Sequence, residues 1–287
     1  MSLNRQMPTR SIPALSARAA EGFHPDFVAA LPVQRLPGGG ALYVAKPLPT
    51  HVLFVHGGFH GAWCFGAWME VLSQRGIGCA AIDLPGHGFL AREGLPLSTD
   101  VGDYATTVRE AAAVVREAAV ATRGGLTIVG HSLGALAVAS AAALTDPTAM
   151  VLLAPSPPAN LPGATRVPSR PADTLVKVTS LDEATERFLG GESPAWVDKF
   201  HGRLCAESPT ALNDRYELRV SVDPATLPSK TLVVAAGRDD VLRHPEGQDA
   251  AIAELYGAEY LMLHDAPHCM MLGSSSLATL DRILDWL

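Results

Sequence analysis

Leu126-Thr127-Ile128-Val129-Gly130-His131-Ser132-Leu133-Gly134-Ala135 decides the reading of this chain. Residues 126–129 are apolar or β-branched and suit a buried strand. Residues 133–145 are small and apolar and suit a buried helix. Between them stands Gly130-His131-Ser132-Leu133-Gly134, a G-x-S-x-G pattern. That motif needs a strand, a sharp turn and a helix, with serine strained at the apex. The glycines remove side chains that would collide as the chain doubles back. The N-terminus of the following helix favours negative charge at the same spot. Ser132 is therefore the candidate nucleophile, and His131 reads as a packing, hydrogen-bonding and pocket-lining residue.

The same rhythm extends in both directions. Strand-like runs occupy residues 41–45, 51–55, 78–83, 150–154, 231–236 and 260–263, most of them stopped by Gly or Pro. Runs apolar on both faces suggest a parallel sheet covered on both sides. Helical patterns fill residues 103–122, 246–256 and 277–287. Alternating strand and helix predicts an α/β, doubly wound sheet. The core spans 41–154 and 229–287. Residues 155–228 break the rhythm, with short helical patches near 181–189, 194–206 and 208–220. A connection this long predicts an inserted helical cap. Residues 1–40, rich in Pro, Ser and Arg early on, predict an N-terminal extension with little regular structure.

A serine hydroxyl attacks only when a neighbouring base takes its proton. His268, in a loop beyond the last strand, is the candidate base, with His264 as its competitor. The base needs an acid to orient it. Gly237-Arg238-Asp239-Asp240 follows a core strand; Asp240 is expected to be the acid by its offset from the glycine, and Asp239 is the alternative. Two backbone N–H groups should receive the oxyanion. One belongs to Leu133; the other comes from His56-Gly57-Gly58-Phe59-His60-Gly61-Ala62-Trp63, at Gly58 or Phe59. Phe59, Trp63 and Trp196 are expected as pocket walls.

These residues resemble the α/β-hydrolase superfamily across roughly residues 41–287. His56–Trp63, continuing to Cys64, looks like the H-G-x-x-H-G-A-W segment of the plant methylesterase and hydroxynitrile lyase branch. His268-Cys269-Met270-Met271-Leu272 is similar to that branch too, and Asp83-Leu84-Pro85-Gly86-His87-Gly88 resembles the superfamily's D-x-x-G-H-G turn. The resemblance implies an α/β-hydrolase fold, a Ser-His-Asp triad and no cofactor. Lyases of the branch carry Thr where this chain has Gly57 and Lys where it has Cys269. Those departures favour hydrolysis of a small carboxylic ester through an acyl-enzyme over cyanohydrin cleavage. Amide, thioester or carbon–carbon bond hydrolysis on the same triad is the alternative, and a non-catalytic ligand receptor is a different class.

Bulk properties agree with that reading. Of 287 residues, 48% are hydrophobic and 18% charged, enough for a sizeable core. The formal net charge is −7, and no basic stripe suggests a nucleic-acid partner. Cys64, Cys79, Cys205 and Cys269 have neither disulfide-framework nor zinc-site spacing. The histidines lack ligand spacing such as H-E-x-x-H, so no metal is expected. Apolar runs are strand-sized, so no membrane span is expected. Arg5, Arg10 and Arg18 precede the first acid, yet no signal-like apolar stretch accompanies them. A cytoplasmic monomer or homodimer acting on a small ester-like molecule is the expectation.

Overall fold

The computed structural model describes residues 15–45, 51–121 and 125–287. Arg5 and Arg10 lie outside the described residues. In chain order the regular elements are α1 (Ala17–Ala20), α2 (Pro25–Ala29), β1 (Val33–Arg35), β2 (Ala41–Ala45), β3 (His51–Val55), α3 (Gly66–Gln74), β4 (Gly78–Asp83), α4 (Val101–Ala121), β5 (Leu126–His131), α5 (Leu133–Ser140), α6 (Ala142–Thr145) and β6 (Ala149–Leu153). The cap helices α7 (Leu181–Leu189), α8 (Val197–His201) and α9 (Pro209–Tyr216) follow. Then come β7 (Thr231–Arg238), α10 (Gln248–Tyr256), β8 (Glu259–Pro267) and α11 (Ser276–Trp286).

The eight strands form one sheet in the order β1-β2-β4-β3-β5-β6-β7-β8. β1 and β2 run antiparallel, and every pairing from β4 to β8 is parallel. Successive side chains of a strand face opposite ways. Accordingly Val52 and Phe54 join one apolar core, and Leu53 and Val55 join the other. Both faces are covered, which is why the central strands read as unbroken apolar runs. Helices α4, α5 and α10 supply residues to one core. The other takes α3, α11 and the cap helices α7 and α8.

The N-terminal expectation needs correction. Residues 17–35 carry α1, α2 and a strand paired to β2. Ser16 Oγ caps α1 and donates to Glu70 Oε2 at 2.7 Å, and His24 Nδ1 sits 2.7 Å from the same oxygen. The Phe23 ring stacks on Trp196 with centroids 4.5 Å apart. A Cβ at Gly66 would lie 2.0 Å from the His24 carbonyl oxygen, so α3 begins pressed against this segment. The Pro and Gly residues that looked like a loop signal sit at a helix start (Pro25) and at the turn between β1 and β2.

Candidate active site

Ser132 stands between β5 and α5 with φ 52° and ψ −120°. A non-glycine residue there costs on the order of 1–3 kcal/mol and persists only when its surroundings over-determine it. They do. Its N–H donates to the Leu153 carbonyl at 2.9 Å, and its carbonyl accepts from Ala135 at 3.0 Å and Ser156 at 3.1 Å. The motif glycines are steric necessities. A Cβ at Gly134 would lie 2.0 Å from the His56 carbonyl oxygen, and one at Gly130 would lie 2.7 Å from Ala135 Cα. Ser132 Oγ has no hydrogen-bond partner among the described residues, and it faces the same cavity as His268.

His268 follows β8 directly, and its Nδ1 is 2.8 Å from Asp239 Oδ2. The structure thus brings His268 to Asp239, and the expectation of Asp240 is corrected. Asp240 opens a tight turn. Its Oδ1 accepts from the Leu242 N–H at 3.0 Å, its carbonyl accepts from Arg243 and His244, and its carboxylate pairs with the Arg243 guanidinium. Its acceptors are spent on that turn. The cause lies at the end of β7, where the register with β8 shifts between Ala236 and Arg238. Gly237 sits at this irregularity with space for no side chain, since its Cβ would lie 2.2 Å from the His264 carbonyl oxygen. Glycine offset alone carries no information about such a bulge. His264, the competing base, does not line the Ser132 cavity.

Burial, then His244 and Arg187, push the His268 imidazole well below its ordinary range, so the ring is neutral at neutral pH. Burial raises the Asp239 carboxyl above its usual range. His244, buried behind the pair, has its ring centroid 4.7 Å from that of His268 and Nδ1 3.9 Å from Asp249. Its Nδ1 has no hydrogen-bond partner among the described residues. Asp239, His244 and His268 offer ligand atoms within 4.8 Å of one another, the one group among the described residues able to hold a metal. Two of the three are already committed to each other by the hydrogen bond.

The loop after β3 is fixed by its own histidines. His56 Nε2 accepts the Leu84 N–H at 3.0 Å, so its Nδ1 carries the proton and donates to the Gly57 carbonyl at 2.7 Å. His60 Nδ1 lies 2.7 Å from the Gly58 carbonyl, and the Cys269 sulfur lies 3.3 Å from its Nε2. Burial lowers the His60 pKa to about 4 and raises the Cys269 thiol well above its usual range. Neutral His60 therefore donates from Nδ1 and accepts the thiol proton at Nε2. Beneath Gly58 lies a group that sequence reasoning missed. Glu207 is fully buried, with His87 Nε2 at 3.0 Å, the Tyr104 hydroxyl donating at 2.5 Å and the Ser208 N–H donating at 2.7 Å. A Cβ at Gly58 would lie 2.9 Å from Glu207 Oε2, and one at Gly57 would lie 2.9 Å from both His131 Nδ1 and Ser132 Cβ. The two glycines let the loop lie flat between the elbow and this carboxylate. The D-x-x-G-H-G turn braces it from another side: Asp83 accepts from Ala62 N–H, Phe89 N–H and the Tyr43 hydroxyl.

Gly58, Phe59, His131, Ser132, Leu133 and His268 all line one cavity. The Leu133 N–H, at the first position of α5, has no acceptor within the helix. Trp63 and Trp196 do not reach the cavity. Each is at most 7% exposed, and both are spent on packing: Trp63 against His60, Phe23 and Phe200, Trp196 against Phe23 and Phe200. The remaining walls come from the cap and the β7 turn and include Arg187, Phe188, Arg215, Tyr216 and Arg243. Sequence reasoning missed Arg187, although its place three residues after Ala184 and next to Phe188 sets a charge among the apolar positions of α7.

Comparison with known proteins places this arrangement. The model of the alpha/beta hydrolase family matches residues 52–281. Methylesterase 3 of Arabidopsis thaliana is 28% identical over 151 residues, 52% of this chain and 54% of that protein, so the chain spans about half the length of this curated relative. Among solved structures, the methylesterase MES16 from Arabidopsis superposes with TM-score 0.61 at 22% identity, over 83% of this chain and all of that one. Tomato methylketone synthase I, complexed with 2-tridecanone, gives 0.64 at 18% identity over 83% and 97%. Polyneuridine aldehyde esterase gives 0.60 at 17% over 82% and 98%. At these identities the structural likenesses speak for the fold. With the family model matching four-fifths of its length, an eight-stranded, mostly parallel sheet and a strained serine at the strand-to-helix turn, the chain belongs to the α/β hydrolase family.

Proposed function

We propose that this protein hydrolyses a small carboxylic ester, with Ser132 as nucleophile, His268 as base and Asp239 as the orienting acid. The observation that carries the reading is the hydrogen bond from His268 to Asp239, in the same cavity as a serine held in a strained backbone conformation. With Nδ1 committed to Asp239, Nε2 is the nitrogen left to take the serine proton. Ser132 Oγ then bonds to the acyl carbon. The N–H of Leu133 and that of Gly58 or Phe59 receive the oxyanion. The alcohol leaves with the proton from His268, and water releases the acid by the same steps in reverse order. The likeness to methylesterases and to polyneuridine aldehyde esterase supports an ester. Gly57 and Cys269 support hydrolysis over cyanohydrin cleavage, because neither supplies the hydroxyl or ammonium of the lyases. The four free cysteines fit a reducing, cytoplasmic setting.

A fluorophosphonate probe tests the reading. Labelling of the folded wild type, abolished in Ser132→Ala, is the expected result, together with loss of methyl-ester hydrolysis in that variant. An unlabelled wild-type protein would sink the nucleophile assignment.

A further inference from the structure

We infer that the substrate carries a carboxylate besides its ester, and that the cap guanidiniums of Arg187 and Arg215 bind it. The inference rests on the ester-hydrolase reading and names its substrate class.

Three arginines, Arg187, Arg215 and Arg243, line the Ser132 cavity, against two carboxylates, Asp239 and Asp240. Both carboxylates are engaged, Asp239 by His268 and Asp240 by Arg243. That leaves Arg187 and Arg215. Arg187 makes no hydrogen bond to a described residue. Its nearest acid, Glu183, is 4.0 Å away and half exposed, and its guanidinium lies over the rings of Phe59 and Phe188, 4.7 and 4.8 Å from their centroids. Arg215 is 3% exposed. Its Nη2 donates to the Arg243 carbonyl, and its Nη1 is buried without any partner.

A buried cation is costly unless something answers it. Protein groups answer these two only in part, Arg187 by half-exposed Glu183 and two rings, Arg215 by one carbonyl and the Tyr216 ring, and both line the cavity of the reacting serine. The field of Arg187 is visible on a neighbour: burial raises the Tyr216 phenol, yet Arg187, with Arg243 and Arg170, more than offsets it and holds its pKa below the ordinary value. The guanidinium's planar fork matches a carboxylate. Phe59 and Phe188 hold Arg187 from the side by cation–π contact, which fixes its direction without neutralising it. Hydrolysis adds water across the acyl C–O bond of such a monoester. It yields a dicarboxylate, an alcohol and one proton.

The test compares monomethyl glutarate with dimethyl glutarate at neutral pH. The wild type is expected to show kcat/KM about tenfold or more higher for the monoester, carried mainly by KM. In Arg187→Met and Arg215→Met the ratio of the two substrates should fall toward one, and Arg187→Lys should keep part of it. Thermal melts report whether each variant is folded. Calorimetric titration of glutarate into Ser132→Ala reads the recess without turnover, and binding there should be lost on adding Arg187→Met. Ser132-dependent hydrolysis of the diester with no preference for the monoester overturns the recess and leaves the esterase reading standing. An unlabelled serine with no hydrolysis of either ester overturns the esterase reading, and the glutarate titration still decides the recess: no binding rejects it.

Discussion

At the scale of single residues, burial holds His56, His60, His131 and His268 neutral, whereas at His87 and His244 burial is outweighed by neighbouring carboxylates, which raise the pKa of both. His268 titrates well below its ordinary pKa because it is buried beside His244 and Arg187. A base works only when unprotonated, so depressing its pKa moves the acid limb of the rate profile downward. For a neutral methyl ester, kcat/KM should stay near its plateau through about pH 6, below the ordinary histidine value of roughly 6.5. A pH–rate profile with its half-point at or above 6.5 would contradict this. The acid is tested by paired substitutions. Asp239→Asn should lower kcat by about 10³–10⁴-fold through loss of the correct tautomer. Asp240→Asn, which loosens only the Arg243 turn, should cost less than about tenfold by the same comparison. Steady-state rates for the two variants decide between the neighbours. Gly57 sets a further constraint. Threonine there would press on His131 and Ser132, so Gly57→Thr should cost about 1–3 kcal/mol of stability in denaturant titrations, and shrinking His131 should restore part of it.

At the scale of elements, the elbow depends on close approach of β3, β5 and α5. Gly134→Ala would drive a methyl group into the His56 carbonyl. We expect about 3 kcal/mol or more of destabilisation, visible in Tm, because backbone rather than a flexible side chain blocks the space. The strand–turn–helix around Ser132, the parallel sheet and the loop of Gly57 and Gly58 were legible in sequence, because hydrophobic period and glycine placement are local properties. What escaped was non-local. The irregularity at Gly237, which delivers Asp239 rather than Asp240, depends on how β7 meets β8. Glu207 lies in the cap, and only folding brings it under Gly58 to meet His87 and Tyr104. Trp63 and Trp196 carry no local mark that separates a core tryptophan from a pocket wall.

At the scale of the whole molecule, the N-terminal segment, the sheet and the cap share one core. Phe23 belongs to the same cluster as Phe54, Phe188 and Ile283. Phe23→Ala should therefore cost about 3–5 kcal/mol in chemical denaturation, a core-sized loss. A loss under about 0.5 kcal/mol, as for a surface site, would show the segment to be dispensable. The Phe23–Trp196 stack also bears on biogenesis. The two rings are separated by most of the translated chain, and Gly22 packs against Gly273 further on still. At about 5–20 residues per second the ribosome takes roughly 10–35 s to bring Trp196 out after Phe23. α1 and α2 can dock on α3 as soon as it emerges, but the Phe23 ring has no Trp196 to stack on throughout that interval. The Phe23 face of this segment is therefore among the last apolar surfaces of the core to be covered during synthesis.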